Sequence, residues 1–198
     1  MKKRSKKSKA INKTTSRKKP TESHKKIRDL VTRYFILLIA AFPGLAIFYF
    51  IFTPLTTYPV YWILDVFYDT LFIYGDVPFI LLNDIIPIEL VAACIAGSAY
   101  YLLLILNLST PGIKLNKRVK AIVFSFGLFL IANIIRIIIL SALAVSESVY
   151  FDATHTIFWY GLSTVIVVGI WFAEVKIFRI HKIPIYSDLK FLYKEARK

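Results

Sequence analysis

FLIANIIRIIILSALAV, residues 129–145, decides how the chain is read. Apart from Asn133, Arg136 and Ser141 it is apolar, and it is long enough to cross a membrane. A spanning helix needs about 20 mostly apolar residues, at ~1.5 Å rise each across ~30 Å of hydrocarbon. A permanently charged guanidinium inside such a segment costs ~2.5–3.5 kcal/mol even on the lower scales, so it is expected to face a bundle interior. Snorkelling is the bland alternative. Arg136 stands nine residues before Val145, or ~13 Å of helix, which is long for a snorkel.

The rest of the chain agrees with a membrane reading. Of its 198 residues, 57% are hydrophobic, and the mean hydropathy is +0.61. Soluble domains of this size rarely carry such an excess. The formal charge of +14 would suit a nucleic-acid partner, but its placement argues against one. Fourteen of the 26 Lys and Arg lie in the first 33 residues, and none lies between residues 34 and 113. Lys114, Lys117, Arg118 and Lys120 then cluster, and after Arg136 the next is Lys176. Such banding is typical of a polytopic membrane protein.

Four windows are predicted to span: about 34–52, 88–108, 121–145 and 156–178. The connections 53–87 and 146–155 carry only acids: Asp65, Asp69, Asp76, Asp84, Glu147 and Asp152. By the positive-inside rule both termini and the 109–120 loop are cytoplasmic, and the two acidic loops lie outside. Asp65, Asp69 and Asp76 recur at offsets of four and seven, which predicts an amphipathic helix over 58–74 in the outer interface. A fifth span there would put 114–120 outside, against the charge rule. The predicted fold is therefore an all-α polytopic membrane helical bundle. It has about four transmembrane helices and an outer interfacial helix. Residues 1–29 read as a disordered basic tail, 30–180 as the membrane domain and 181–198 as a second basic cytoplasmic tail. No secretory signal peptide is apparent.

Asn133 shares a helical face with Arg136, so its amide is placed to orient the guanidinium. Cys94 is the only cysteine. This excludes an internal disulfide, a CxxC pair and a cysteine zinc cluster. It falls ~9 Å inside the outer start of the second span. Ala93 with Gly97, and Cys94 with Ser98, make small-xxx-small pairs that admit a close neighbouring helix. A membrane-helix thiol is more often a packing residue than a nucleophile. His155 opens the fourth span and is the only histidine on the outer side; His24 and His181 fall in the tails. The alternating spans put Cys94, Arg136 and His155 in one shallow outer layer. A cation beside a thiol favours the thiolate. An imidazole can protonate a leaving amine, and a guanidinium can hold an oxyanion. Together they suit acyl transfer through a thioester.

Cysteine in "IELVAACIAGSAYYLL", then "NIIRI", then a histidine opening the last span, resembles the exosortase/archaeosortase family of multi-pass membrane transpeptidases. The short form with very basic tails looks most like a small archaeal branch, the pacearchaeosortases. The likeness covers roughly residues 87–161. That family usually has Ser or Thr directly after the cysteine, whereas Ile95 and Ala96 stand before Gly97 here. The resemblance implies a cysteine peptidase that cleaves the C-terminal sorting signal of secreted proteins at the outer face. Its substrates would carry a tripartite tail of motif, apolar span and basic end. Cys94 would form the thioester, Arg136 would polarise the carbonyl, and His155 would act as acid and base. Asn133, Gly97 and Ser98 would support them. The acceptor would be an amine, a membrane lipid or water, with no metal and no cofactor. The rival reading is a non-enzymatic transporter or a lipid- or partner-binding protein that uses Arg136 as a charge site. A structural partner protein would match Arg136 to an acid elsewhere. Within the chain only Glu89 lies near enough, because Glu174 sits at the opposite face. A single outer histidine without HExxH argues against a metalloprotease.

Overall fold

The computed structural model describes residues 20–42, 45–75, 77–158, 161, 163–180, 184 and 186–196. Helices dominate: α1 (Pro20–Ala41), α2 (Ala46–Asp65), α3 (Ala92–Ile95), α4 (Gly97–Leu108), α5 (Leu115–Val145), α6 (Phe151–Ile157), α7 (Ser163–Ile177) and α8 (Tyr186–Ala196). Three short strands, β1 (Thr70–Ile73), β2 (Phe79–Leu82) and β3 (Ile86–Glu89), form an antiparallel sheet in the order β1-β2-β3. The all-α expectation is thus corrected to a helical bundle that carries a small sheet.

Two helices, Ala46–Asp65 and Leu115–Val145, are long and apolar enough to cross a membrane. The other predicted windows are divided. The first is broken between Ala41 and Ala46, where Leu45 turns left-handed at φ 65°. Pro43 lies in that gap, and a proline disfavours helix in the residue before it. The second is split at Ala96, and in the fourth the α-helical stretches Phe151–Ile157 and Ser163–Ile177 are separated by residues of which Phe158 and Gly161 lie in wider π-type turns.

The predicted interfacial helix over 58–74 is also corrected. Helix α2 runs on to Asp65, and the chain then enters β1. TLFI, FILL and IPIE are β-branched and aromatic runs, and they sit between residues that break helices. Asn83 and Asp84, both at positive φ, turn β2 into β3, a conformation Asn and Asp tolerate better than most residues. Thr70 Oγ1 donates to Asp65 Oδ1 across the junction. Asp76, the third acid of the pattern, lies outside the described residues.

The core is aromatic. Phe48, Phe52, Thr56, Val60 and Leu64 follow each other at intervals of four on the buried face of α2. Phe52 stacks on Tyr100 with centroids 3.5 Å apart. Tyr100 meets Phe126 and Phe129 edge-on at 5.5 and 4.8 Å. Edge-on contact aligns the positive ring edge with the negative face.

One end of the bundle is closed by basic side chains. Arg33 Nη1 donates to Leu108 O at 2.8 Å, and Nη2 pairs with Asp188 Oδ1 at 3.1 Å. Arg118 donates to the carbonyls of Asn107, Leu108 and Thr110. The last turn of α4 leaves carbonyls without helical partners, and the two arginines take them. Residues 20–29, expected in the loose tail, are the first turns of α1. Part of the second tail is α8, held by Asp188. Residues 1–19 and His181 lie outside the described residues. Glu174, fully buried, accepts from Asn107 Nδ2 at 2.9 Å in the half nearer this end. Arg136 stands eighteen residues beyond Arg118 on α5, or ~27 Å along its axis. That places it at the end that carries the sheet.

Candidate functional site

The site begins with a break in a helix. Ala96 adopts φ 57° and ψ 44°, so α3 stops after Ile95 and α4 starts afresh at Gly97. A non-glycine residue in this region is uncommon and costs of order 1–3 kcal/mol. Ala92 O is still bonded, by Ala96 N at 3.0 Å. An uninterrupted helix would satisfy Ala93 O and Cys94 O from residues 97 and 98. The break removes those donors.

Helix α5 replaces them. Asn133 Nδ2 donates to Cys94 O at 2.8 Å. Arg136 Nη2 donates to Cys94 O at 3.2 Å and to Ala93 O at 3.3 Å. Its Nη1 donates to Ser163 Oγ at 2.9 Å, and Ser163 Oγ in turn donates to Phe158 O at 2.6 Å. The planar fork thus ties α3, α5 and α7 together. Carbonyl oxygens, not a carboxylate, hold the charge. Among the described residues no acid lies within ion-pair distance of Arg136. Its buried Nε has no partner among them.

Beside this junction is a cavity of about 190 Å³. Cys94, Arg136 and His155 all line it, from α3, α5 and α6. The three predicted site residues therefore meet at one void. Cys94 is half-buried and its Sγ lies 3.8 Å from Glu89 O on β3. The His155 ring stacks on Phe151, one turn earlier, at 5.8 Å and 3°. Such i, i+4 stacking restricts the imidazole to few orientations. Ile137, Leu140 and Ser141 complete the α5 wall.

The supporting residues divide. Asn133 holds the backbone of Cys94. Gly97 serves packing, because a Cβ there would come within 2.8 Å of the Tyr49 ring. Ser98 is exposed, and neither Gly97 nor Ser98 lines the cavity. Glu89, the acid considered for Arg136, lines the cavity but forms no ion pair with it. Two contributors were not foreseen. Ser163 has no local signal, since its link to Arg136 exists only once α5 and α7 pack. The predicted second span, from about residue 88, takes in only the last two residues of β3, and the first two fall in the predicted outer connection. Among the described residues no three of His, Cys, Asp and Glu gather as a metal site would require.

The arrangement offers a thiol, an imidazole and a guanidinium around a space that is mostly apolar. That set can attack, protonate and stabilise charge at one acyl carbon. Compared with protein-family models, curated proteins and solved structures, the chain matches none.

Proposed function

We propose that this protein is a membrane-embedded cysteine peptidase or transpeptidase of the exosortase/archaeosortase type. It acts on the C-terminal sorting tail of secreted proteins. One observation carries the reading: Cys94, Arg136 and His155, from three separate helices, line one cavity. In this reading four passes cross the bilayer, formed by α1–α2, α3–α4, α5 and α6–α7. The basic end faces the cytoplasm and the sheet faces outward, as the loop charges require.

The Cys94 thiolate attacks a backbone carbonyl of the tail, so that a C–S bond forms. The carbonyl oxygen becomes an oxyanion within the field of the Arg136 guanidinium. When the oxyanion collapses the C–N bond breaks, and protonated His155 gives its proton to the departing amine. Neutral His155 then takes a proton from the acceptor, an amine, a lipid hydroxyl or water. The acceptor displaces the Cys94 sulfur, and the enzyme returns to its starting state. Asn133 and Arg136 fix the thiol by holding its own backbone. The dry walls strengthen each electrostatic contact.

The test is processing of an epitope-tagged secreted protein with a tripartite tail, co-expressed with the protein. Cys94→Ala, Cys94→Ser and His155→Ala are expected to abolish cleavage while leaving the protein in the membrane. Mass spectrometry of the natural protein, acid-quenched during turnover, should find substrate acyl on Cys94. Cleavage that survives Cys94→Ala refutes the thiol chemistry.

A further inference from the structure

Strand β3 ends the sheet, and its outer edge faces the cavity. Leu90 N donates to Pro78 O at 2.9 Å, and Ile80 is paired with Ile88, Leu82 with Ile86. In an antiparallel ladder, bonded and non-bonded pairs alternate. Ile86, Ile88 and Leu90 therefore turn their backbone groups toward β2. Pro87 and Glu89 turn theirs away. The Sγ of Cys94, 3.8 Å from Glu89 O, lies on that outward side. Pro87, Ile88, Glu89 and Leu90 all line the cavity that holds Cys94, Arg136 and His155. Proline within a sheet belongs where its missing N–H would face no strand, and Pro87 obeys this.

An unpaired edge is a template for another strand. We infer that the β3 edge binds the polypeptide to be cleaved as an added fourth strand, in extended form, with its scissile carbonyl laid beside Cys94. This rests on the peptidase reading. The occupant follows from the chemistry of the edge. Glu89 supplies an outward N–H and Pro87 an outward C=O, while the Glu89 C=O already accepts from the Cys94 thiol. Alternating acceptors and donors are what an extended backbone offers, and strand addition is a recurrent way of binding peptides. A lipid chain or a small anion offers no such alternation. Charge narrows the choice. Asp65, Asp69, Asp84 and Glu89 stand on or beside the sheet, and no Lys or Arg lies between residues 34 and 113. A neutral or basic segment is accepted, and an acidic one is repelled.

The assignment gives the fold a reason to place a sheet on a helical bundle. Helix α3 follows β3 after two residues, so strand and nucleophile move as one unit. A substrate strand in register with β3 passes Cys94 at a fixed distance, whatever its side chains. Backbone capture then supplies position, and the side-chain motif supplies only discrimination.

The test uses the full-length protein in liposomes and the reagent acetyl-Ala-Val-Val-Ala chloromethyl ketone. Alkylation of Cys94 is followed by mass spectrometry against chloroacetamide, each rate normalised to glutathione. The peptide reagent is expected to react at least about tenfold faster. N-methylation at each amide in turn should give an alternating pattern, with about tenfold loss at the edge-facing positions and little at the others. Glu89→Pro removes the edge N–H and should abolish the peptide's advantage. Glu89→Gln should retain it, and chloroacetamide should label all three proteins alike. A flat N-methyl series, or no advantage over chloroacetamide, overturns the inference. If Glu89→Pro does not fold, the N-methyl series on the natural chain decides alone. The two readings fail separately. Alternation with tail cleavage surviving Cys94→Ala keeps the strand and removes the chemistry. A flat series with cleavage lost in Cys94→Ala does the reverse.

Discussion

Asn133→Ala isolates the link between α5 and the nucleophile without altering charge. The amide donates to Cys94 O at 2.8 Å, but that oxygen also accepts from Arg136 at 3.2 Å. The carbonyl is therefore not orphaned, and the full desolvation penalty does not apply. What is lost is one net neutral hydrogen bond, about 0.5–1.5 kcal/mol. Opening of the short α3 helix should become easier by the same amount, about two- to twelvefold at 25 °C. Hydrogen exchange of the amides of residues 92–96, in detergent or nanodiscs, reads this directly. The α4 amides of Leu103 and Leu104 serve as an internal control, because they lie two turns away. For a chain of this size the melting temperature should fall about 2–4 °C per kcal/mol. Exchange and melting both identical to the natural protein would refute the claim that Asn133 replaces a missing helix donor. Faster exchange across the whole of α4 would also refute it, since it would show a global effect and no local cap.

Other substitutions test the scaffold. Gly97→Ala forces the Tyr49 ring, 2.8 Å from the new Cβ, to shift at about 1–3 kcal/mol, and Tyr49→Leu in the same chain should restore most of the loss in a melt. Arg33→Ala should cost about 3–5 kcal/mol, because it leaves Asp188 buried without its cation, while Leu108 O keeps only its longer bond from Arg118; limited proteolysis should then cut within α8, and an unchanged cleavage pattern would count against the α8 latch. Glu174→Gln should change the melting temperature by less than about 4 °C, since Asn107 Nδ2 still finds an oxygen there, whereas Glu174→Leu leaves that amide only its bond to Leu103 O and should lower it more.

Much of the bundle was legible because hydrophobic length and charge position are written directly in the chain. Residues 121–145 read as one helix and are one, inside α5. What failed was continuity. Ala96 is an ordinary helix former, and no local preference predicts a left-handed turn there. Its conformation is compensated from another helix, by Asn133 and Arg136, so it is a tertiary fact. The sheet was missed for a different reason. Asp65, Asp69 and Asp76 fit a helical period, but Gly75, Pro78 and Pro87 break the segment, whereas α2 runs through Pro59. Period and breakers disagreed, and short β-branched runs cannot be told from helix by period alone. The candidate site was legible in its residue types and in the layer they share. Ser163 and the β3 wall were not, because both arise from contacts distant in sequence.

Arg136 and the broken helix account for each other. Alone, Arg136 is a charge without a carboxylate in an apolar bundle. Alone, α3 ends on carbonyls that nothing nearby can satisfy. Either defect costs several kcal/mol in a medium without water. Joined, the guanidinium finds two backbone oxygens and a hydroxyl, and the orphaned carbonyls find strong donors. Their junction presents Cys94 at the wall of a cavity. A continuous helix through Ala96 would satisfy its own carbonyls and release the arginine. It would also aim Cys94 by helical period alone, and would detach it from β3. A point charge therefore should not substitute for the guanidinium: Arg136→Lys keeps the charge but loses the fork. One ammonium cannot reach Ala93 O, Cys94 O and Ser163 Oγ with the planar geometry now used. Hydrogen exchange in residues 92–96 should then rise even with charge conserved. If Arg136→Lys leaves that exchange unchanged, the charge alone holds α3 and the geometric pairing of break and fork is wrong.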